Sequence, residues 1–251
     1  MNIDTDLGGP PAAFPASRCS VVRAAGNPDP AIRKQAFADL VSAYWKPVYK
    51  YIRIKWSLTN EDAKDFTQAF FARAFEKDFF TPFDPSRARF RTFLRTCIDG
   101  FVANAVRHSS RLKRGGGSEI LPLDFNAADA ELRVQALAGR TDLDDFFRQE
   151  WVRSLFSGAL DDLKQQCATA GKNAHFEIFL RYDIEGPEAV QRPTYEQLAK
   201  EFGLPASQVT NYLAFARRQF RQVVLERLHA TTGSEEEFLE ESKRLFGGVM
   251  S

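Results

Sequence analysis

Apolar residues fall into a helical rhythm along most of this chain. Between Ala31 and Trp56 the positions Ile32, Phe37, Leu40, Val41, Tyr44, Val48 and Ile52 recur three to five residues apart, the spacing that lines one face of an α-helix. Pro47 removes a backbone donor inside that stretch and predicts a bend there. Thr59 followed by Asp62 predicts a capped start for a second helix through Lys77, with Ala63, Phe66, Phe70 and Phe75 facing inward. The prolines of TPFDPS end it. A third helix is predicted from Ser86 to near His108, burying Phe90, Phe93, Cys97, Phe101 and Val102. The strict alternation of a half-buried strand is weak throughout.

The segment RLKRGGGSEILPLDFNAADA, Arg111 to Ala130, carries a glycine triplet, a proline and no helical period, so it reads as a linker. Helical patterning resumes near Asp142 in DDFFRQEWVRSLFSGALDDLKQQC and again in NAHFEIFLRYD. After Gly233, SEEEFLEESKRLF reads as a short acidic helix. The expected fold is all-α, with two small helical domains joined by a linker. A disordered Pro/Gly/Ala-rich tail covers 1–28, the first domain 29–112, the linker 113–141, the second domain 142–232, and the acidic helix 233–251. No internal repeat points to a solenoid.

Residues 193–224, PTYEQLAKEFGLPASQVTNYLAFARRQFRQVV, pattern as two helices separated by a glycine. Thr194 and Gln197 have the spacing of a reciprocal capping box. Ala199, Gly203 and Val209 stand where a helix-turn-helix needs a small residue at the crossing, a residue tolerant of positive φ, and an apolar anchor. On the second helix Val209, Leu213, Ala216, Phe220 and Val224 make one apolar seam. That leaves Ser207, Thr210, Asn211, Ala214, Arg218 and Arg221 on the opposite face, polar at its start and basic beyond, as major-groove entry requires. Pro205 leaves two starts open: it is the first helical residue, or Ser207 caps a helix that begins later.

Charge sharpens this picture only locally. The net charge of the 251 residues is +1, yet between Ser86 and Gly115 eight basic residues stand against Asp99 alone. Arg87, Arg91 and Arg95 are four apart and are expected to share a helix face, with Arg89 adjacent and Arg107 and Arg111 beyond. A solvated face mixes signs; one sign suits a phosphate backbone. Asp62, Asp65 and Gln68 repeat every three residues along the second helix, an acidic and amide surface better matched to a protein than to DNA. Three scattered cysteines, Cys19, Cys97 and Cys167, lack metal-ligand spacing and suit a reduced cytoplasmic chain. No apolar run reaches bilayer length, no secretory signal opens the chain, and no carboxylate cluster suggests a magnesium-dependent nuclease. His108, His175 and His229 stand alone and make no case for an enzyme.

Several of these segments resemble bacterial sigma factors of the extracytoplasmic-function group. EDAKDFTQAFFARAF, residues 61–75, resembles that family's DAEDLTQEVFLRAW-type segment, which docks on the clamp helices of RNA polymerase. FDPSRARFRTFLRTCIDGFVANAVRH, residues 83–108, resembles the following segment, which opens the promoter and reads the minus-ten element. Thr194 to Arg221 is similar to the region that reads the minus-thirty-five element. AGKNAHFEIF and SEEEFLEESKRLF resemble a long variant common in planctomycete-like genomes. The resemblance runs in order over most of residues 30–246.

The resemblance implies a dissociable specificity subunit with no catalytic site, cofactor or metal. Its partners would be core RNA polymerase and promoter DNA, with room for an anti-sigma factor or other regulator and no membrane. Asp62, Asp65 and Gln68 would contact polymerase, with Ala69 replacing the usual glutamate. Arg87, Arg89, Phe90, Arg91, Phe93, Arg95, Asn104, Arg107 and Arg111 would serve the minus-ten element and strand opening. Ser207, Gln208, Thr210, Asn211, Arg217, Arg218 and Arg221 would serve the helix-turn-helix contact. The family more often has asparagine and aspartate at the positions of Gly100 and Asn104, and basic residues at those of Thr210 and Tyr212. Two rivals remain open: a stand-alone helix-turn-helix regulator acting as a dimer, and a degenerate sigma-like interaction protein unable to open DNA. The acidic helix is expected either to be solvated or to restrain the Arg217, Arg218 and Arg221 face.

Overall fold

The computed structural model describes residues 21–25, 27–107, 123–136, 142–186 and 192–247. Every regular element among them is helical, so the fold is all-α. The described residues divide into two compact units: 21–155 with 228–242, and 156–227 with 243–247.

In the first unit α1 (Val21–Ala24) is a single turn, and α2 (Pro30–Lys55) follows. Asp29 caps α2 by accepting from the amide of Ala31 at 2.8 Å, with Pro30 at the first helical position, where a missing amide costs nothing. The helix continues through the buried Pro47 to Lys55. Thr59 Oγ1 accepts from the Asp62 amide at 3.1 Å and starts α3 (Asn60–Glu76) where the capping pattern requires. α3 ends as Asp78 turns left-handed at φ 49° and the Phe79 amide reaches back to the Ala74 carbonyl. The expected inward set shifts slightly. Phe71 is buried while Phe75 is 39% exposed, its ring packed on Phe37 with centroids 5.0 Å apart.

Helix α4 (Phe90–Arg107) begins four residues later than the sequence pattern suggests. Asp84 takes the Ser86 amide and hydroxyl at 2.9 and 2.7 Å, and its carbonyl accepts from Arg87 and Ala88, so residues 84–88 are held in turns. Within the stretch read as a linker, Phe125–Ala136 forms helix α5. Asp124 Oδ1 accepts from the Ala127 amide at its start, and Phe125, Ala128 and Leu132 bury one face. Its period is carried by alanine as much as by large apolar residues, so the glycines and proline before it dominate the pattern. Residues 1–20, 26, 108–122, 137–141, 187–191 and 248–251 lie outside the described residues; they include most of the tail and much of the linker named above.

The first part of α6 (Leu143–Thr169), the last part of α9 (Ala206–Thr231) and most of α10 (Glu235–Phe246) also belong to this unit. Its core is aromatic. Tyr44, Tyr49, Phe70, Phe71, Phe90, Phe147 and Trp151 are each almost wholly excluded from solvent. Burying each of the phenylalanines among them contributes about 1.5–3 kcal/mol. Gly233, between α9 and α10, is required by close approach, since a Cβ there would lie 2.4 Å from the Phe83 ring.

The second unit holds the rest of α6, α7 (Asn173–Phe179), a π-helical turn Leu180–Ile184, α8 (Tyr195–Phe202) and most of α9. Leu163, Phe176, Ile178, Phe179, Leu198, Val209, Leu213 and Ala216 form its core. Among the described residues no helix is long and apolar enough to cross a membrane.

Candidate nucleic-acid interface

Thr194 Oγ1 accepts from the Gln197 amide at 3.2 Å while Gln197 Oε1 accepts from the Thr194 amide at 2.7 Å, closing the capping box of α8. Gly203, at φ 64°, reverses the chain, and the Leu204 amide returns to the Ala199 carbonyl at 2.9 Å. α9 then begins at Ala206, immediately after Pro205, whose carbonyl accepts from the Gln208 amide; neither start left open by the sequence is the one adopted. Val209, Leu213, Ala216 and Val224 are buried and Phe220 half-buried, so the seam faces inward. Ser207, Gln208, Thr210, Asn211 and Arg218 are exposed and Arg221 is half-buried, its guanidinium 5.1 Å from the Phe246 ring.

Arg217 is engaged within the chain. Its Nε and Nη2 grip both oxygens of Asp183 at 2.7 and 2.9 Å, and Arg192 meets the same carboxylate at 3.1 Å. This planar pair raises the Arg217 pKa and ties α9 to the π-helical turn. Sequence reasoning missed Lys172, at the start of α7. Its Nζ lies 3.9 Å from the centroid of Phe215, whose ring also has the Arg218 guanidinium 6.0 Å away, so Lys172 adds positive charge beside the outer face of α9. A lysine in a sequence gives no sign of a neighbour forty residues on.

The arginines of residues 87–95 do not share one helix face. Arg87 precedes α4 and is exposed beside Asp84. Arg89, also before the helix, is half-buried and ion-paired with Glu240 and Glu241. Arg91 is buried on Glu241 and over the Trp151 ring, and Arg95 is paired with Asp144. The side chain of Arg107 and the whole of Arg111 lie outside the described residues. Phe90 is a core residue, in edge contact with Tyr44, Phe80 and Phe83, whereas Phe93 is half-buried. Within this unit the carboxylates of α10 meet Arg89 and Arg91, so the helix is not merely solvated, and these partners are not the arginines that the alternative expectation named.

Phe93 lines a recess of about 760 Å³ between α4 and the loop after α3, together with Phe79, Phe101, Asn104, Arg73 and Lys77. Arg73, in the last turn of α3, and Lys77, its C-cap four residues on, bring positive charge to a partly aromatic wall, and Asp78 brings one opposing carboxylate. That spacing is visible in the sequence, but the loop that folds Phe79 against it is not. Cys97 also lines the recess, and burial pushes its thiol up to about 11, so it is an uncharged wall group. Gly100 has open space where a side chain would stand. On the outer side of α3, Asp62, Asp65 and Gln68 are all exposed. Among the described residues no group of His, Cys, Asp and Glu is arranged to hold a metal.

Comparison with protein families, with curated proteins and with solved structures returns no match for this chain.

Proposed function

We propose that this chain is a sigma factor of the extracytoplasmic-function type, which binds core RNA polymerase and directs it to promoter DNA. The observation that carries the proposal is the α8–Gly203–α9 geometry. A closed capping box, a left-handed glycine and a buried seam put Ser207, Gln208, Thr210 and Asn211 on the outer leading turns of a long helix, with Arg218 two turns further on. Taken as a helix-turn-helix, this places short hydrogen-bonding side chains at base edges of the major groove and the arginine on phosphate.

The other parts support the same division of labour. The recess beside Phe93 and Phe101 offers aromatic walls and two cations, set against the one carboxylate of Asp78, to an unstacked base; aromatic surface with a net positive charge is the combination with which single strands are held. Exposed Asp62, Asp65 and Gln68 leave a surface on α3 for polymerase. Under this proposal a front domain docks and captures the separated strand while a second domain fixes register on duplex DNA; joined in one chain, each raises the effective concentration of the other.

Run-off transcription with purified core polymerase and fragments of a bacterial genome tests the proposal. Specific initiation that disappears when Asp62, Asp65 and Gln68 are replaced together by alanine supports it. Tight duplex binding by the isolated chain with no initiation and no core association overturns it in favour of a stand-alone regulator.

A further inference from the structure

Helix α10 carries five glutamates against Lys243 and Arg244, and three of its carboxylates are turned inward or along the surface of its own unit. Glu241, fully buried, accepts from Arg91 Nη2 at 2.7 Å and lies 3.3 Å from Arg89 Nη1. Glu240, whose side chain is 57% exposed, is ion-paired with Arg89 Nη2. Glu237 accepts from the amides of Gly233 at 2.9 Å and Phe90 at 3.3 Å, so it closes the start of its own helix and the start of α4 together. The three glutamates are three and four residues apart, hence one stripe of the helix, and Phe238 is buried beside them.

Arg91 is only 8% exposed, and its guanidinium lies 5.2 Å from the Trp151 ring centroid. A buried guanidinium persists only while an anion meets it, because an unpaired charge out of water is costly. Its Nη1 is buried without a hydrogen-bond partner. The Glu241 contact thus leaves one donor of the Arg91 fork unused, and a phosphodiester, which like a carboxylate presents two oxygens to an arginine fork, is able to take both donors. Arg89 and Glu240 sit nearer water, where an ion pair is weak and screened by salt, so this end of the contact opens first.

We propose that α10 is a built-in acidic cover that holds Arg89 and Arg91 in place of a nucleic-acid phosphate. The chain engages its strand by exchanging the Glu240 and Glu241 carboxylates for phosphate oxygens. Exchange keeps Arg91 paired throughout, whereas simple loss of the helix would leave it bare. The Glu237 contacts keep the cover tethered after Glu240 and Glu241 let go, so it competes at high local concentration. The inference rests on the proposed role of this arginine segment in binding nucleic acid.

The test uses the full chain, a fluorescent single-stranded oligodeoxythymidine and anisotropy over a salt series. Glu240→Gln removes the outer carboxylate from an exposed position and leaves packing intact. Glu76→Gln removes the same unit charge from an exposed residue at the end of α3 and serves as the control. Glu240→Gln is expected to tighten binding several-fold more than Glu76→Gln and to steepen the salt slope by about 0.7, the contribution of one phosphate contact no longer offset by a freed carboxylate. Arg89→Ala is expected to weaken binding more in the Glu240→Gln background than in the wild type. Equal tightening by the two glutamine variants, or an equal Arg89→Ala loss in both backgrounds, overturns the cover. If duplex binding then still depends on Arg218, nucleic-acid recognition stands without the cover. Absence of any binding at low salt, to single strand or duplex in every variant, sinks both.

Discussion

Lys50 Nζ stands 2.6 Å from Glu150 Oε2, and neither side chain exposes more than 2% of its surface. Glu131 meets the same ammonium at 2.7 Å, and Glu150 is also paired with Arg153. Burial pushes the Glu131 carboxyl up, but hydrogen bonds from Lys50 and Lys46 outweigh it and hold it below the usual carboxylate range. The cluster joins α2, α5 and α6, three elements separated by about a hundred residues of chain. Taking two ions out of water cancels much of their attraction, so the pair adds little net stability, yet breaking it strands a charge.

Glu150→Ala is therefore expected to destabilise the chain by about 3 kcal/mol, the lower end of the range for a broken buried pair because Glu131 remains on Lys50. Lys50→Met combined with Glu150→Leu is expected to recover most of that loss. Urea unfolding followed by circular dichroism checks both. A double variant as unstable as the single one would show that the cluster stabilises the fold beyond neutralising its own charges.

Arg217 and Arg218 are neighbours with different work. Arg217 is clamped bidentately on Asp183, whereas Arg218 is exposed on the outer face of α9. Arg217→Lys keeps the charge but loses the planar fork, and is expected to lower stability by about 1–2 kcal/mol. Arg218→Ala is expected to leave the unfolding midpoint unchanged and to weaken duplex DNA binding evenly across sequences, reducing the salt slope by about 0.9. Calorimetry and binding titrations on the same two variants separate the roles. Loss of DNA affinity in Arg217→Lys without loss of stability would return Arg217 to the DNA-contact set.

Gly203 meets nothing within 4 Å of where a Cβ would stand, so the cost of replacing it is conformational alone. At φ 64° an L-residue with a Cβ is strained by about 1–2 kcal/mol. Gly203→Ala is expected to destabilise by that amount and Gly203→Asn by less, since asparagine tolerates the left-handed region. Chemical denaturation of the two variants gives the comparison directly.

What was legible in the sequence was local. Thr59, Thr194, Gln197 and Gly203 act within four residues of themselves, and each does what its spacing requires. The arginines of residues 87–95 were legible as a charge run but not as an arrangement. Their partners, Glu240 and Glu241 for Arg89 and Arg91 and Asp144 for Arg95, lie about fifty to one hundred and fifty residues away. Helix α5 was masked by the glycines and proline before it, and the start of α4 by a turn that Asp84 makes with Ser86. Sequence spacing reports which face a residue takes. It does not report which distant carboxylate will occupy that face.

The His175 ring lies nearly flat on Tyr212, centroids 3.6 Å apart and planes 12° from parallel, with Phe215 edge-on at 5.1 Å. Its Nδ1 is buried without a hydrogen-bond partner. Burial, with the nearby Lys172 charge adding to it, holds the imidazole below its ordinary pKa. The unfolded chain therefore takes up this proton more readily than the folded one, and stability must rise with pH across the interval between the two values. The contribution is complete above the unfolded value of about 6.5 and is lost as pH falls through the lower folded value. Thermal unfolding of the wild type is expected to show a midpoint that drops between about pH 8 and about pH 5. His175→Phe keeps an aromatic ring on Tyr212 without a titrating group, so its midpoint is expected to fall less over the same interval. Parallel pH profiles for the two proteins would mean that His175 titrates alike in the folded and unfolded chain and that its seat between Lys172 and Tyr212 does not disfavour the proton.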